Sequence, residues 1–188
     1  MTNISDIFDK YGAINTHQGT DKTTTHSYGK VYNKYFSSIR ESTESVLEIG
    51  IDSGMALQAY SEFFINAQIY GIDIGDNVKQ SVKDNRRVNL YFGDATNQDV
   101  VNHFNTEFDI IVEDASHKPE HQIQHFKDFN KFVKPGGYYI IEDVNGQYYS
   151  KVLEETKKIA NNDFECIVHD LRREKNRFDD ILIVFRKK

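Results

Sequence analysis

One cysteine, two prolines and no tryptophan occur in the 188 residues of the chain. A single thiol excludes an intrachain disulfide framework, and Cys166, set between Phe164 and Val168 in a strand-like run, is expected to be buried and inert. No apolar run approaches the roughly 20 residues that span a bilayer, and the start Met1-Thr-Asn-Ile-Ser-Asp6 has no signal-peptide core. These absences predict a soluble, cytoplasmic protein with no membrane partner. Positive charge is also scarce. Lys+Arg is 23 against 29 Asp+Glu, a formal net charge of -6 that argues against general binding to nucleic acid. Late in the chain Arg172, Arg173, Lys175 and Arg177 cluster, either to meet an acidic substrate or a second subunit or simply as a solvated charge run. No repeat or linker divides the chain, which predicts one domain over residues 1–188.

What is present is an alternation. Residues 1–40 read as a helical and loop cap: Tyr28, Val31, Tyr32, Tyr35, Phe36 and Ile39 follow helical spacing, after a polar loop from Gly19 to Thr25. This aromatic-rich cap is a candidate homo-oligomer interface. From 45 to 188, apolar runs at 46–49, 68–72, 88–92, 109–112 and 138–141 alternate with helix candidates at 54–65, 76–83, 97–104, 119–133 and 147–161. Strand then helix, repeated, predicts a parallel sheet covered on both faces. Pro135-Gly-Gly137 reads as a turn ending the fourth crossover helix. Two last strands, 164–171 and 179–186, are too close for a crossover and should pair antiparallel. The expected fold is α/β, a doubly wound, mostly parallel seven-stranded sheet closed by a C-terminal hairpin.

Ligands of such sheets bind beyond the carboxyl ends of the strands. Each predicted parallel strand ends in acid: Glu48, Asp73, Asp94, Glu113-Asp114 and Glu142-Asp143. Gly50 and Gly54 allow a sharp strand-to-helix turn and close approach of a ligand. Asp73 is placed to bind a ribose, with a helix cap as the plain alternative; Asp94, in Gly93-Asp94-Ala95, is placed to reach an adenine amine or to make only a turn. Positions 50 to 55 lack the G-x-G-x-x-G fingerprint, which weighs against a nicotinamide enzyme, and no P-loop occurs. Adenosine without a phosphate tail remains, as in S-adenosylmethionine.

Glu48-x-Gly50-x-x-x-Gly54, Asp73, Asp94 and the terminal hairpin together resemble the class I S-adenosylmethionine-dependent methyltransferases. Three stretches are similar, more narrowly, to the metal-dependent sugar O-methyltransferases of the macrocin and mycinamicin type. They are Gly19-Thr-Asp-Lys22 with His26-Ser-Tyr28, Phe108 to His117, and Pro135 to Asp143. The resemblance, over about residues 12–187, implies cofactor contacts from Thr20, Tyr28, Glu48, Gly50, Gly54, Asp73, Ile74, Gly93, Asp94, Ala95 and Asp114. It also implies Asp114, Glu142 and Asp143 as metal ligands, and a saccharide or other small-molecule acceptor.

The residues reach the metal independently. If the fourth and fifth strands are neighbours, Asp114, Glu142 and Asp143 end roughly 5 Å apart, and three carboxylates there would share either a proton or a cation, Mg²⁺ or Mn²⁺ by oxygen chemistry. His117, just ahead of Pro119, is the candidate base that takes a hydroxyl proton, with Asp114 beside it; a surface or capping histidine is the alternative. His117-Lys-Pro-Glu-His121 matches H-x-x-E-H, but a proline at the first helical turn would leave His117 outside the helix, against a zinc protease. His121 and His125 read as a partly exposed helix face, and Tyr148 and Tyr149 as sugar-flanking or packing aromatics. Competing readings are a metal-independent methyltransferase and a binding protein that kept the fold without turnover.

Overall fold

The computed structural model describes residues 2–13 and 17–188; the expected cap therefore includes residues outside the described ones. Two helices, α1 (Ile4–Tyr11) and α2 (Gly29–Phe36), precede the sheet. Strands β1 (Ser45–Ile49), β2 (Gln68–Asp73), β3 (Val88–Phe92), β4 (Phe108–Glu113) and β5 (Val133–Ile141) follow. Between and after them lie α3 (Met55–Phe63), α4 (Gln80–Lys83), α5 (Gln98–His103), α6 (Pro119–Phe129) and α7 (Tyr149–Ala160). The chain ends in β6 (Phe164–Asp170) and β7 (Ile181–Lys187). The seven strands run in the order β3-β2-β1-β4-β5-β7-β6, with β7 antiparallel to both of its neighbours.

Successive strand residues point to opposite faces, and the two faces are covered by different helices. Val46, Ile69, Ile110, Ile140 and Leu182 join a core with α1, α2 and α3. Leu47, Ile72, Ile111, Ile141 and Ile183 join a second core with α5, α6 and α7. This two-sided burial is why the strands read as unbroken apolar runs; all five residues of β1 are buried. Phe8, Tyr32, Phe36 and Tyr60 pack edge to face within the first core, so the N-terminal helices are fastened by aromatic contacts.

Three expectations need correction. Pro135-Gly-Gly137 does not end the fourth crossover helix: α6 stops at Phe129, a single 3₁₀ turn follows, and the proline and glycines lie inside β5. The β4–β5 register shifts there, from Phe108 opposite Val133 to Ile110 opposite Tyr138, so the segment is a bulge that lets proline sit in a strand. His125 is not on an exposed face but 2% exposed, because Gln122, His125, Phe126 and Phe129 form the buried stripe of α6. Cys166 is half-buried in β6 rather than buried, and burial raises its thiol pKa. Among the described residues no helix is long and apolar enough to cross a membrane.

Candidate active site

Because β1, β2, β4 and β5 are parallel, their carboxyl ends open on one edge. The first turn there is built on Gly50, whose φ of +87° belongs to the left-handed region. A Cβ at Gly50 would stand 2.2 Å from the carbonyl oxygen of Asp114 and 2.4 Å from Cα of Ala115. Glycine therefore lets the β1–α3 turn touch the end of β4 directly. Asp73 braces the same turn from β2: Oδ2 accepts the N–H groups of Ile51 and Asp52, both at 2.9 Å, and Oδ1 accepts that of Gly75 at 3.0 Å. Sequence placed Asp73 on a ribose. The structure shows it holding the loop, with acceptor capacity left over on Oδ1.

These turns wall a cleft of about 600 Å³ lined by Thr20, Glu48, Gly50, Asp52, Asp73, Asp114 and His117 among others. A second space of about 220 Å³ adjoins it through the shared Gly50, Asp73 and Ala115, and adds Ile74, Gly93, Asp94, Ala95 and His121. Asp94 is a turn aspartate here: Oδ1 accepts from the Thr96 N–H at 2.9 Å and hydroxyl at 2.7 Å, and those bonds lower its pKa. Ile74 is 78% exposed at the mouth of the smaller space, an apolar side chain with room to cover a flat ring. Gly54, at φ +76°, starts α3 against Val78 and Val82. Tyr28 is fully buried, and its hydroxyl donates to Asp143 rather than facing the cleft.

Beside the cleft lies a dense charge cluster. Lys22, 1% exposed, comes from the Gly19–Thr25 loop and reaches three strand ends: Glu48 at 3.0 Å, Asp114 at 2.8 Å and Glu142 at 2.6 Å. Burial works against the Lys22 charge, but Asp114, Glu142 and Glu48 outweigh it and hold its pKa well above normal. The carboxylates respond unequally. Burial raises Glu48 to about 7 despite Lys22, and drives Glu142 well above its ordinary value. Asp114 is half-buried and partly desolvated, yet Lys22 and His117 hold it well below the usual range. The second oxygen of Glu142 accepts the Tyr32 hydroxyl, so lysine and tyrosine between them occupy both its oxygens.

Asp143 and His117 complete the cluster. Both have left-handed backbones, φ +51° and +56°, uncommon for residues with side chains. Such conformations cost of order 1–3 kcal/mol each and persist only where the surroundings impose them. At His117 the turn ends just before Pro119 opens α6, which swings the imidazole back over β4. Its Nε2 lies 3.3 Å from Asp114 Oδ1 and 3.5 Å from Asp143 Oδ2. One ligand atom from each of Asp114, His117 and Asp143 falls within 4.8 Å of the others. Burial opposes the His117 charge, but the bond to Asp114 and the fields of Asp114 and Asp143 raise its pKa to about 9. Burial and Asp114 raise Asp143 to about 6, against the pull of His26 and His117. The carboxylates of Asp114 and Asp143 at this spacing are hard oxygen donors that fit a divalent cation such as Mg²⁺ or Mn²⁺, with the imidazole beside them.

Sequence reasoning missed two participants. Lys22 was visible only as part of a motif, because a lysine in a polar loop ordinarily points to water. His26 contacts Asp180 at 3.1 Å and Asp143 at 3.3 Å, and stacks on Tyr28 with ring centroids 4.9 Å apart. The helix that begins at Pro119 excludes His117, so the H-x-x-E-H pair never shares a helical face. Tyr148 is exposed and Tyr149 packs on the second core.

Comparison with known proteins places this architecture. Residues 47–144 match the family described as "Methyltransferase domain". The chain belongs to that family. It is 31% identical over 134 residues to the demethylmacrocin O-methyltransferase of Streptomyces fradiae, an alignment covering 66% of this chain and 33% of that protein. It is 28% identical over 142 residues to an 8-demethyl-8-alpha-L-rhamnosyl tetracenomycin-C 2'-O-methyltransferase of Streptomyces olivaceus, covering 70% of this chain and 36% of that one. The chain thus spans about a third of the length of these curated relatives. The fold is shared with the MycE methyltransferase of the mycinamycin pathway, solved with Mg, SAH and mycinamycin VI. That match has a TM-score of 0.75 at 22% identity, over 99% of this chain and 53% of that one.

Proposed function

We propose that the protein is an S-adenosylmethionine-dependent O-methyltransferase that methylates a hydroxyl of a sugar or sugar-containing small molecule with the help of a divalent cation, Mg²⁺ first. The observation that carries this is the convergence of Asp114, His117 and Asp143 at the lip of the cleft formed by the β1 and β2 turns. The relatives named above are O-methyltransferases by name, one of them of a rhamnosyl compound, and the related fold was solved with Mg and SAH, which supports the same chemistry here.

In this reading the smaller space takes the adenine beneath Ile74, and Asp73 and the Gly50–Gly54 turn hold the ribose and the amino-acid end. Glu48 and Thr20 line the path toward the sulfonium. The acceptor oxygen attacks the methyl carbon in line, the carbon–sulfur bond breaks, and S-adenosylhomocysteine leaves. Alignment of those atoms supplies much of the rate. Asp114 and Asp143 would hold the cation, which when bound would supply the Lewis acidity that lowers the pKa of an acceptor hydroxyl. The His117 imidazole accepts the released proton. Glu142, expected as a third ligand, instead carries the charge of Lys22 and fixes the floor beneath Asp143. Residues 1–40 act as a cap on the 45–188 core, since they supply Lys22, His26, Tyr28 and Tyr32.

The decisive experiment is calorimetric titration of S-adenosylhomocysteine, with and without Mg²⁺, followed by transfer assays in EDTA. Binding in both conditions with EDTA-sensitive transfer is expected. Absence of S-adenosylhomocysteine binding overturns the proposal, and transfer that survives EDTA moves it to the metal-independent alternative.

A further inference from the structure

The sheet order assigns the site two sides. Expected cofactor contacts lie over β1, β2 and β3, and the reacting cluster lies at the ends of β4 and β5; the neighbouring strand beyond β5 is β7. Since β7 runs antiparallel to β5, the connection from β6 into β7, residues 171–180, arrives at the same edge as the reacting cluster. It is tied to the chain just past Asp143: the Val144 N–H donates to Ile181 O at 3.2 Å and the Gly146 N–H to Phe178 O at 2.9 Å. Lys175 anchors its other flank by donating to carbonyl oxygens of Thr23, Thr24 and His26. The connection is therefore a built wall on the acceptor side.

That wall carries an open hollow of about 620 Å³ lined by Asp170, Arg172, Arg173, Asn176, Arg177 and Phe178. Arg172 spends Nε and Nη2 on Asp170, and Arg177 spends the same two nitrogens on Asp179. Each fork thereby becomes rigid and keeps Nη1 unspent. Arg172 Nη1 packs so closely on Gly146 that a Cβ there would stand 2.5 Å from it, which puts this guanidinium beside the segment leaving Asp143. Arg173 has no carboxylate within ion-pair distance among the described residues. Phe178 is 64% exposed in the same wall, an uncovered ring between guanidinium groups. Guanidinium edges recognise carboxylate and phosphate oxygens, and an exposed aromatic ring offers an apolar face to a sugar.

We propose that this hollow is a second acceptor subsite that takes an oxyanion, so that the natural acceptor is an anionic saccharide bearing a phosphate or carboxylate near the methylated hydroxyl. The proposal rests on the sugar methyltransferase reading for its place in the reaction, but its binding step stands apart. Phe178 stacks on the sugar ring, Arg173 meets the charge, and the braced Arg172 and Arg177 orient it. Residues 172–177 carry four basic side chains against one acid, Glu174, in a chain of net charge -6.

The test measures binding of α-D-glucose 1-phosphate, D-glucuronate and neutral methyl α-D-glucoside to the full chain by ligand-observed NMR, with and without S-adenosylhomocysteine. The same titrations are run on Arg173→Gln and Phe178→Ala, neither of which removes a side-chain hydrogen bond or ion pair among the described residues. Expected are binding of one or both anionic sugars, none of the neutral glycoside, and roughly 10- to 100-fold weaker binding to Arg173→Gln, the usual worth of a charge-assisted hydrogen bond. Preference between phosphate and carboxylate identifies the source of the oxyanion. Equal binding of neutral and anionic sugars, no binding of either anion, or an unchanged affinity in Arg173→Gln overturns the inference. S-adenosylhomocysteine affinity, read in the same samples, reports separately on the methyltransferase reading.

Discussion

Replacing Lys22 with methionine tests the charge logic of the site most directly. Methionine fills much of the same volume but leaves Glu48, Asp114 and Glu142, which now sit 2.6–3.0 Å from the ammonium, facing one another in a buried space. Removing one partner from a buried ionic group costs about 3–5 kcal/mol. For a chain of this size each kcal/mol is about 2–4 °C in Tm, so a fall of roughly 6–20 °C is expected. The loss must depend on pH, and its sign follows from the carboxylates. Glu48 and Glu142 have pKa values raised by burial even with Lys22 present, so the folded state takes up more protons than the unfolded one. Removing the ammonium raises those pKa values further, so the variant loses little at low pH and progressively more as pH rises. Thermal melts at about pH 5.5 and about pH 8 should separate the two proteins only modestly at the first and widely at the second. Added Mg²⁺ should recover part of the loss, by bringing positive charge to Asp114, the carboxylate common to Lys22 and the candidate cation site. A variant that melts with the wild type at both pH values would refute this account, since it would mean that the buried acids are compensated some other way.

Three further outcomes follow from the geometry. Asp73→Ala should weaken S-adenosylhomocysteine binding by about 1.5–3 kcal/mol, the worth of hydrogen bonds to a charged group; calorimetry on a folded variant with unchanged Kd would remove Asp73 from the site. Gly50→Ala should destabilise the fold and abolish cofactor binding together, because its methyl would collide with Asp114 O; a soluble variant with normal affinity would contradict the close approach. His117→Gln should lower turnover roughly 10²- to 10⁴-fold and remove the limb of the rate profile that rises with pH. In the cation-free protein the raised pKa of His117 means that its charge stabilises the fold fully below its unfolded pKa of about 6.5, and that this contribution fades as pH rises through about 9. The stability gap between wild type and His117→Gln, read by urea titration, should close over that interval; a constant gap would show that the imidazole is not held by its carboxylates.

Much of the fold is legible along the chain because two-sided burial makes the central parallel strands β1 and β4 apolar runs, each with a turn at its end. The β5 bulge is not, since Pro135-Gly-Gly137 is as good a turn signal as any and only pairing with β4 shows that the strand continues through it. The buried face of α6 was visible in principle: Gln122, His125, Phe126 and Phe129 are spaced i, i+3, i+4, i+7, yet polar residues at two of these positions hide the stripe. For His125 the reason is a partner distant in no simple period, Glu113, whose Oε1 lies 3.0 Å from Nδ1. In the site, strand-end acids announce themselves by position. Their neutralisation does not, because Lys22 and Tyr32 reach Glu142 from more than a hundred residues away in sequence.

The reach of α2 into the site has a consequence for grafting and shuffling. Tyr28 and Tyr32, one helical turn apart, present two phenols to two successive acids, Asp143 and Glu142, as a template with fixed pitch. The segment that defines the family, residues 47–144, carries those acids but neither phenol, nor Lys22, nor the β7 strand beside them. Transplanted alone, it would bring Glu48, Asp114, Glu142 and Asp143 and leave Lys22, Tyr28 and Tyr32 behind. Chimeras between family members should therefore exchange residues 20–36 together with the strand ends they cover, and those that mix the two origins should fail at folding before they fail at chemistry.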